Sequence, residues 1–271
     1  MIHACSMQEL GRRSNQEDSI FPPLGAEMQD CRLFIVCDGM GGHERGEVAS
    51  RTVCESMSRH ILSHRDVEDG DSLLLAAIDA AYNALDMLDD GAERKMGTTL
   101  ALLMLHDDGA TVAHIGDSRV YHLRPADGCE PARILFRTND HSLVNDLLRL
   151  GELTEEEAKT FPQRNVITRA MMPHQERRAR ADVAHISDIR PGDYFFLCSD
   201  GVLERMEDDQ LLSLLTNSED ADEEKLEILR RATRDNSDNH SAHLVHVVDD
   251  SGGQSFSFKK LFVSLKKFFA L

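Results

Sequence analysis

Seven short apolar runs, each bounded by Gly, Asp, Asn or Ser, constrain the fold of this chain more than any other feature. They lie at 31–37 (CRLFIVC), 99–105 (TLALLML), 110–115 (ATVAHI), 119–123 (RVYHL), 133–137 (RILFR), 193–198 (DYFFLC) and 242–248 (AHLVHVV). Runs this short with turn formers at their ends predict β-strands. The stretches 46–63 and 72–90 instead repeat apolar residues at helical spacing, through Val48, Val53, Met57 and Ile61 and then Leu74, Ala77, Ile78, Ala81, Leu85 and Leu88. They should pack as neighbouring helices. Further helices are expected at 141–150, 154–159, 206–216 and 222–235, the second opening with Thr154 and Glu157 in capping-box spacing. Strands and helices come in clusters, and Asp107-Asp108-Gly109 suits a hairpin. The expectation is therefore an α+β protein with helices layered over antiparallel sheet, not a doubly wound parallel sheet.

At 271 residues, with 41% hydrophobic and 29% charged side chains, the chain can bury an ordinary core as one domain or two. Its formal charge of −18 argues against nucleic acid as a partner, because that binding draws on Lys and Arg replacing phosphate counterions. The six cysteines (Cys5, Cys31, Cys37, Cys54, Cys129, Cys198) form no CxxC pair and are expected to be reduced core thiols of a cytoplasmic protein. The N-terminus lacks the basic segment and apolar core of a secretory signal, and no stretch reaches the roughly 20 apolar residues of a membrane span.

The organisation expected is a folded body over 1–248, a linker at 249–255 (DDSGGQS) and a tail of different character at 256–271. Laid on a helix, the tail places Phe258, Leu261, Phe262, Leu265, Phe268 and Phe269 on one stripe, with Lys259, Lys260, Lys266 and Lys267 away from it. Such a segment suits an anionic membrane surface or a groove on a partner protein, and equally a helix folded back on the acidic body. Five of the 11 Phe fall in these residues, which favours docking over an idle end.

The chemistry lies in aspartates that close or precede the apolar runs: Asp38 after LFIVC, Asp117 after VAHIG, Asp200 after FFLCS, and Asp238 before the last run. One Asp-Gly at a strand end is usually a turn. Four together suggest carboxylates aimed into one crevice, as a hard divalent cation such as Mg²⁺ or Mn²⁺ requires. Zinc is the less natural choice. His60 with His64 lacks the Glu of a zinc-protease helix, and His240 and His243 would alternate across strand faces. Gly11 to Asp18 (GRRSNQED) adds guanidinium groups beside Glu17 and Asp18, a pairing that suits phosphate and metal together.

Taken in order, these segments resemble the metal-dependent protein phosphatases of the PPM family, type 2C, and their bacterial branch in particular. Arg13-Ser14-Asn15-Gln16-Glu17-Asp18 follows the first family motif, with Arg13 five residues before Asp18. DGMGGHERGEVAS at 38–50, GTT at 97–99, GDSRVY at 116–121 and SDGV at 199–202 look like the successive motifs. The stretch 140–170 is similar to the flap of bacterial members, and DNHSAHLV at 238–245 to the closing motif, with Ser241 in place of Thr. Coverage runs from about residue 8 to 248.

The resemblance implies a four-layer α-β-β-α sandwich of two antiparallel sheets flanked by helix pairs. It implies that Asp38 bridges two ions, the Gly39 carbonyl binds one, Asp200 and Asp238 complete the other, and Glu17 and Asp18 support them. Asp117 matches a residue that joins Asp200 in holding a third ion in bacterial members, and Arg13 matches the phosphate-binding arginine. Two ions, Mn²⁺ or Mg²⁺, would activate water for attack on phosphoserine or phosphothreonine without a covalent phosphoenzyme. Met40 stands where eukaryotic relatives carry a proton-donating His. The leaving oxygen would then be protonated from water at the metals or from His43.

Implied partners are phosphorylated proteins, the targets of a Ser/Thr kinase, and the implied location is the cytoplasm, with the tail allowing peripheral contact at the inner membrane surface. Other readings stay open. One is a weakly active or inactive phosphoprotein-binding module of the same fold. Another is a second kind of two-metal hydrolase, although the acidic body makes a polyanionic substrate unattractive. A cysteine-based phosphatase would need C-x₅-R, which none of the six Cys offers.

Overall fold

The computed structural model of the chain describes residues 1–41, 45–64, 69–89, 96–163, 165–217 and 219–248. His43, the linker 249–255 and the tail 256–271 lie outside the described residues. Two five-stranded antiparallel sheets dominate. The first runs β1 (Ile2–Glu9), β12 (His240–Val247), β11 (Tyr194–Cys198), β8 (Arg119–Arg124), β9 (Arg133–Arg137). The second runs β10 (Asp182–Ile186), β7 (Gly109–Ile115), β6 (Leu100–His106), β3 (Leu33–Cys37), β2 (Ser19–Phe21). A two-stranded ladder pairs β4 (Gly39–Met40) with β5 (Gly97–Thr98).

Period-two alternation sorts the side chains into three cores. In β3, Leu33, Ile35 and Cys37 meet α1 (Arg45–Ser63) and α2 (Gly70–Leu88) through Val53, Met57, Leu74 and Ile78. Phe34 and Val36 point the other way, into the layer shared with Phe195, Leu197 and Val245 of the first sheet. Strand β11 repeats the device. Its Tyr194, Phe196 and Cys198 face α6 (Asp208–Leu215) and α7 (Asp222–Thr233) through Leu211, Leu215, Leu226 and Leu229. Both faces of each sheet are therefore covered, and the order of layers is α-β-β-α. Phe34, Phe195 and Leu197 are wholly buried, each contributing about 1.5–3 kcal/mol against exposure.

All seven apolar runs are strands, with ends shifted by a residue or two. Strands β1 and β10 were not legible because polar residues, including His3, Ser6, Asp182 and His185, interrupt their alternation. Thr154 and Glu157 do form the capping box of α4 (Glu155–Lys159). The helix expected over 206–216 is α6 alone, because Glu207 and Gln210 cap it at its start, while a separate turn, α5 (Asp200–Leu203), precedes it. The cysteine expectation needs correcting: all six are free, but only four are buried, since Cys5 packs half-buried at the margin of the core under α6 and α7 and Cys129 is exposed in a turn.

One end of the sandwich gathers what matters for function. Strands β3, β7 and β11 all finish there, β12 begins there, and the β1–β2 loop crosses it.

Candidate active site

Strand direction brings Asp38, Asp117, Asp200 and Asp238 to that end, and the β1–β2 loop adds Arg13, Glu17 and Asp18. Backbone contacts fix the set. Gly39 N–H donates to the Glu17 carbonyl at 3.1 Å, and Asp38 N–H donates to Thr99 Oγ1 at 2.9 Å. The Asp38 carbonyl accepts from Thr98 Oγ1 at 2.8 Å and from Thr99 N–H at 2.9 Å. Gly39 is obligatory for packing, since a Cβ there would lie 2.1 Å from the Gly46 carbonyl oxygen and 2.5 Å from that of Glu17.

Asn239 ties the N-terminal loop to β12. Its Oδ1 accepts from Glu17 N–H at 2.7 Å, and its Nδ2 donates to the carbonyls of Leu10 and Asn15 at 2.9 and 3.0 Å. Ser199 Oγ donates to Asp18 Oδ2 at 2.8 Å and accepts from Ser241 N–H at 3.0 Å. At the rim, Arg13 Nη2 donates to Asp238 Oδ2 at 2.7 Å, and the half-exposed guanidinium remains open to a ligand. Thr99, Ser199 and Asn239 were not singled out in sequence, although Ser199 and Thr99 sit inside the Ser-Asp-Gly and Gly-Thr-Thr motifs.

The electrostatics are those of carboxylates buried close to one another. Burial pushes Asp18 up to about 7, with Asp200 and Asp238 adding like charge. Burial raises Asp117 to about 8, with Asp200 and Asp140 contributing. Asp38 rises well above the usual range through burial and then through Asp18, Asp200 and Asp117. Asp200, also buried, is raised despite a hydrogen bond with Asp38. Burial raises Glu17 too, against the pull of Arg13.

Mn²⁺ or Mg²⁺ fits these residues. Oδ1 of Asp18, of Asp117 and of Asp200 are each buried without a hydrogen-bond partner among the described residues. Orphaned carboxylate oxygens in a low-dielectric cleft are costly unless a cation meets them, and an all-oxygen donor set is what a hard divalent ion selects.

A second cluster, His114, His141 and Asp182, places three ligand-type atoms within 4.8 Å of one another. Its bonding is not that of a metal centre. His141 Nδ1 accepts from Gly116 N–H at 3.1 Å, so the ring hydrogen sits on Nε2, 3.2 Å from Asp182 Oδ2. The Arg169 guanidinium stands 3.2 Å from that Nε2 and donates to Asp182 Oδ1 at 2.8 Å, filling the cation's place. The histidine pairings considered in sequence fare no better: His60 and His64 stack on each other at 4.4 Å, and His243 packs against Phe34 between the sheets.

Comparison with known proteins agrees with this geometry. The sequence profile of the protein phosphatase 2C family matches residues 10–246, and the chain belongs to that family. It is 36% identical over 252 residues to the serine/threonine protein phosphatase PstP of Mycobacterium tuberculosis, spanning 90% of this chain and 44% of that one. It is 34% identical over 190 residues to the protein phosphatase PhpP of Streptococcus pneumoniae, covering 68% of this chain and 73% of PhpP. The crystal structure of the PstP catalytic domain in complex with two manganese ions superposes with a TM-score of 0.71 at 29% identity, covering 92% of this chain and 99% of that one.

Proposed function

We propose that this chain hydrolyses phosphoserine and phosphothreonine in proteins with Mn²⁺ or Mg²⁺ bound among its buried carboxylates. The chain is a metal-dependent protein serine/threonine phosphatase. The observation that carries this is the convergence of Asp18, Asp38, Asp117 and Asp200, three of them with an orphaned oxygen, beside Arg13 in a chain matched to the family over nearly its whole described length.

In this reading Asp38, the Gly39 carbonyl, Asp200 and Asp238 hold two ions, Asp117 with Asp200 a third, and Glu17 and Asp18 support them. When bound, the ions lower the pKa of water so that it attacks phosphorus near neutral pH, and they neutralise charge on the phosphoryl oxygens. Arg13 presents a planar donor fork at the rim, where it holds a phosphate monoester while Asp238 fixes its orientation. Ser199 and Asn239 keep Asp18 and the Glu17 backbone in place. Met40 has no proton to give, so the leaving oxygen takes its proton from water in the site or from His43. An unchanged pH–rate profile of the His43→Ala protein with an alkyl phosphate would remove it from that role.

Residues 1–248 form the catalytic unit, 249–255 a linker and 256–271 a docking tail. Among the described residues no helix is long and apolar enough to cross a membrane. The Phe stripe and four Lys of the tail suit peripheral contact with an anionic inner-membrane surface or a partner, in a cytoplasmic enzyme acting on targets of a Ser/Thr kinase. If deleting 256–271 alters neither liposome binding nor pull-down partners, that role is lost.

The deciding experiment is initial-rate hydrolysis of a phosphothreonine peptide with Mn²⁺, with Mg²⁺ and with EDTA, beside the Asp38→Ala and Asp200→Ala proteins. Metal-dependent phosphate release that vanishes in both variants is expected. A folded, metal-loaded wild type without turnover would point to the phosphoprotein-binding module instead.

A further inference from the structure

We propose that His141 is a positioning residue that locks the base of the 142–167 segment onto Asp117, so that segment and carboxylate are held as one unit. The proposal rests on the reading of Asp117 as part of a metallophosphatase site, and it explains a cluster that imitates a metal centre without being one.

The argument starts one residue before Asp117. Gly116 has φ +104, and a Cβ there would lie 2.6 Å from Thr99 Cγ2, so this backbone shape admits glycine alone. A glycine does not hold itself in such a shape; its neighbours must. His141 does so twice: its Nδ1 accepts the Gly116 N–H at 3.1 Å, and its own N–H donates to the Gly116 carbonyl at 2.9 Å. On the other flank of Asp117, Arg119 donates from Nε and Nη2 to the two carboxylate oxygens of Asp140, each at 2.7 Å. Residues 140 and 141 thus grip positions 119 and 116, and Asp117 is suspended between the two grips.

The same residue closes the segment that follows. The His141 carbonyl accepts from Thr168 N–H at 2.8 Å, Ser142 bridges Ile167, and Leu143 N–H donates to the Val166 carbonyl at 2.9 Å. The two ends of the 142–167 segment are therefore zipped together at His141. The ring itself is held from three sides. It stacks on His114 with centroids 4.5 Å apart, His114 Nε2 is bonded to the Asn139 carbonyl at 2.9 Å, and Asp182 on β10 takes the Nε2 hydrogen. Asp182 and the Gly116 amide impose one tautomer between them, and only that tautomer presents a lone pair to Gly116.

Asn at this position keeps an acceptor where Nδ1 lies and loses the reach to Asp182. Gln keeps a polar atom near Nε2 and loses the acceptor at Nδ1. Ala loses both. The experiment measures Mn²⁺ binding to the metal-stripped full-length protein by calorimetry, and separately kcat and KM with p-nitrophenyl phosphate. His141→Ala and His141→Gln are expected to weaken the weakest resolvable Mn²⁺ binding step and lower kcat, each on the order of 10-fold, with KM unchanged, and His141→Asn is expected to recover most of both. Should the Ala protein fail to fold, the Asn and Gln proteins decide. Equal losses in Asn and Gln, or wild-type Mn²⁺ binding in Gln, would make His141 mere packing and overturn the proposal. Wild type that binds Mn²⁺ yet releases no phosphate would overturn the proposed function and leave the His141 comparison readable from binding alone.

Discussion

Strand β11 carries an aspartate at each end, and the two live in opposite electrostatic worlds. Asp193, just before the strand, is 1% exposed. It accepts from His122 Nε2 at 2.9 Å, from Arg124 Nε and Nη2 at 2.8 Å each, and from Arg190 N–H at 2.8 Å. Burial alone would raise its pKa, but these donors hold it well below the usual carboxylate range. Asp200, just after the strand, is also shielded, yet among the described residues no cation forms an ion pair with it and its Oδ1 has no hydrogen-bond partner, and its pKa is raised. Asp222 at the N-terminus of α7 repeats the first pattern, with His246 and His3 each 2.9 Å from one oxygen. The contrast teaches that burial does not distinguish a structural carboxylate from a functional one. What distinguishes them is whether the protein supplies the opposite charge.

The comparison breaks first on activity. Asp200→Ala is expected to lower kcat/KM for a phosphothreonine peptide to below about one-thousandth, since in the proposed function it removes a ligand from the ions that carry the chemistry. In EDTA the same variant should melt no lower than wild type, because it deletes a buried carboxylate crowded by other carboxylates and met by no cation among the described residues. Asp193→Ala should do the reverse, leaving kcat per folded molecule unchanged while costing about 3 kcal/mol in denaturant unfolding, because the buried Arg124 loses its main partner. If Asp193→Ala abolished turnover in a folded protein, or Asp200→Ala spared it, the division between the two ends of β11 would be wrong.

Much of this could be read from the chain before any coordinates. The apolar runs give both sheets because strands buried on two faces are dense in Leu, Ile, Val and Phe. The edge strands β1 and β10 escape because His3, Ser6, Asp182 and His185 interrupt their apolar alternation. The aspartates proposed as metal ligands stand out because Asp-Gly after an apolar run recurs at 38 and 200. Asp193 also adjoins an apolar run, however, and nothing in the sequence says that Arg124 and His122, some seventy residues earlier, meet it from the neighbouring strand β8. Ser199, Asn239 and His141 were illegible for the same reason: a Ser, Asn or His in a loop has many ordinary partners, and only the fold says which one it has.

The finest test is pH. Below the ordinary aspartate range, about pH 4, Asp18 and Asp117 are protonated in the folded and the unfolded chain alike and contribute nothing. As pH rises further, the unfolded chain ionises them while the folded chain keeps the proton until about 7 and about 8 respectively. Asp18 therefore destabilises the metal-stripped protein progressively from about pH 4 to about pH 7, and Asp117 from about pH 4 to about pH 8, by about 1.4 kcal/mol per pH unit for each proton retained. Asp193 and Asp222, held low, act with the opposite sign. Their stabilisation is complete above the ordinary range and is lost only as pH falls through their depressed values. Unfolding free energy in EDTA should thus decline from pH 5 to pH 8, and Asp18→Asn should flatten the decline. Saturating Mn²⁺ should abolish it, since a cation that meets the carboxylates removes the reason for retaining the protons. A decline of equal slope with Mn²⁺ bound would mean that the carboxylates and the cation do not meet at this end of the sandwich.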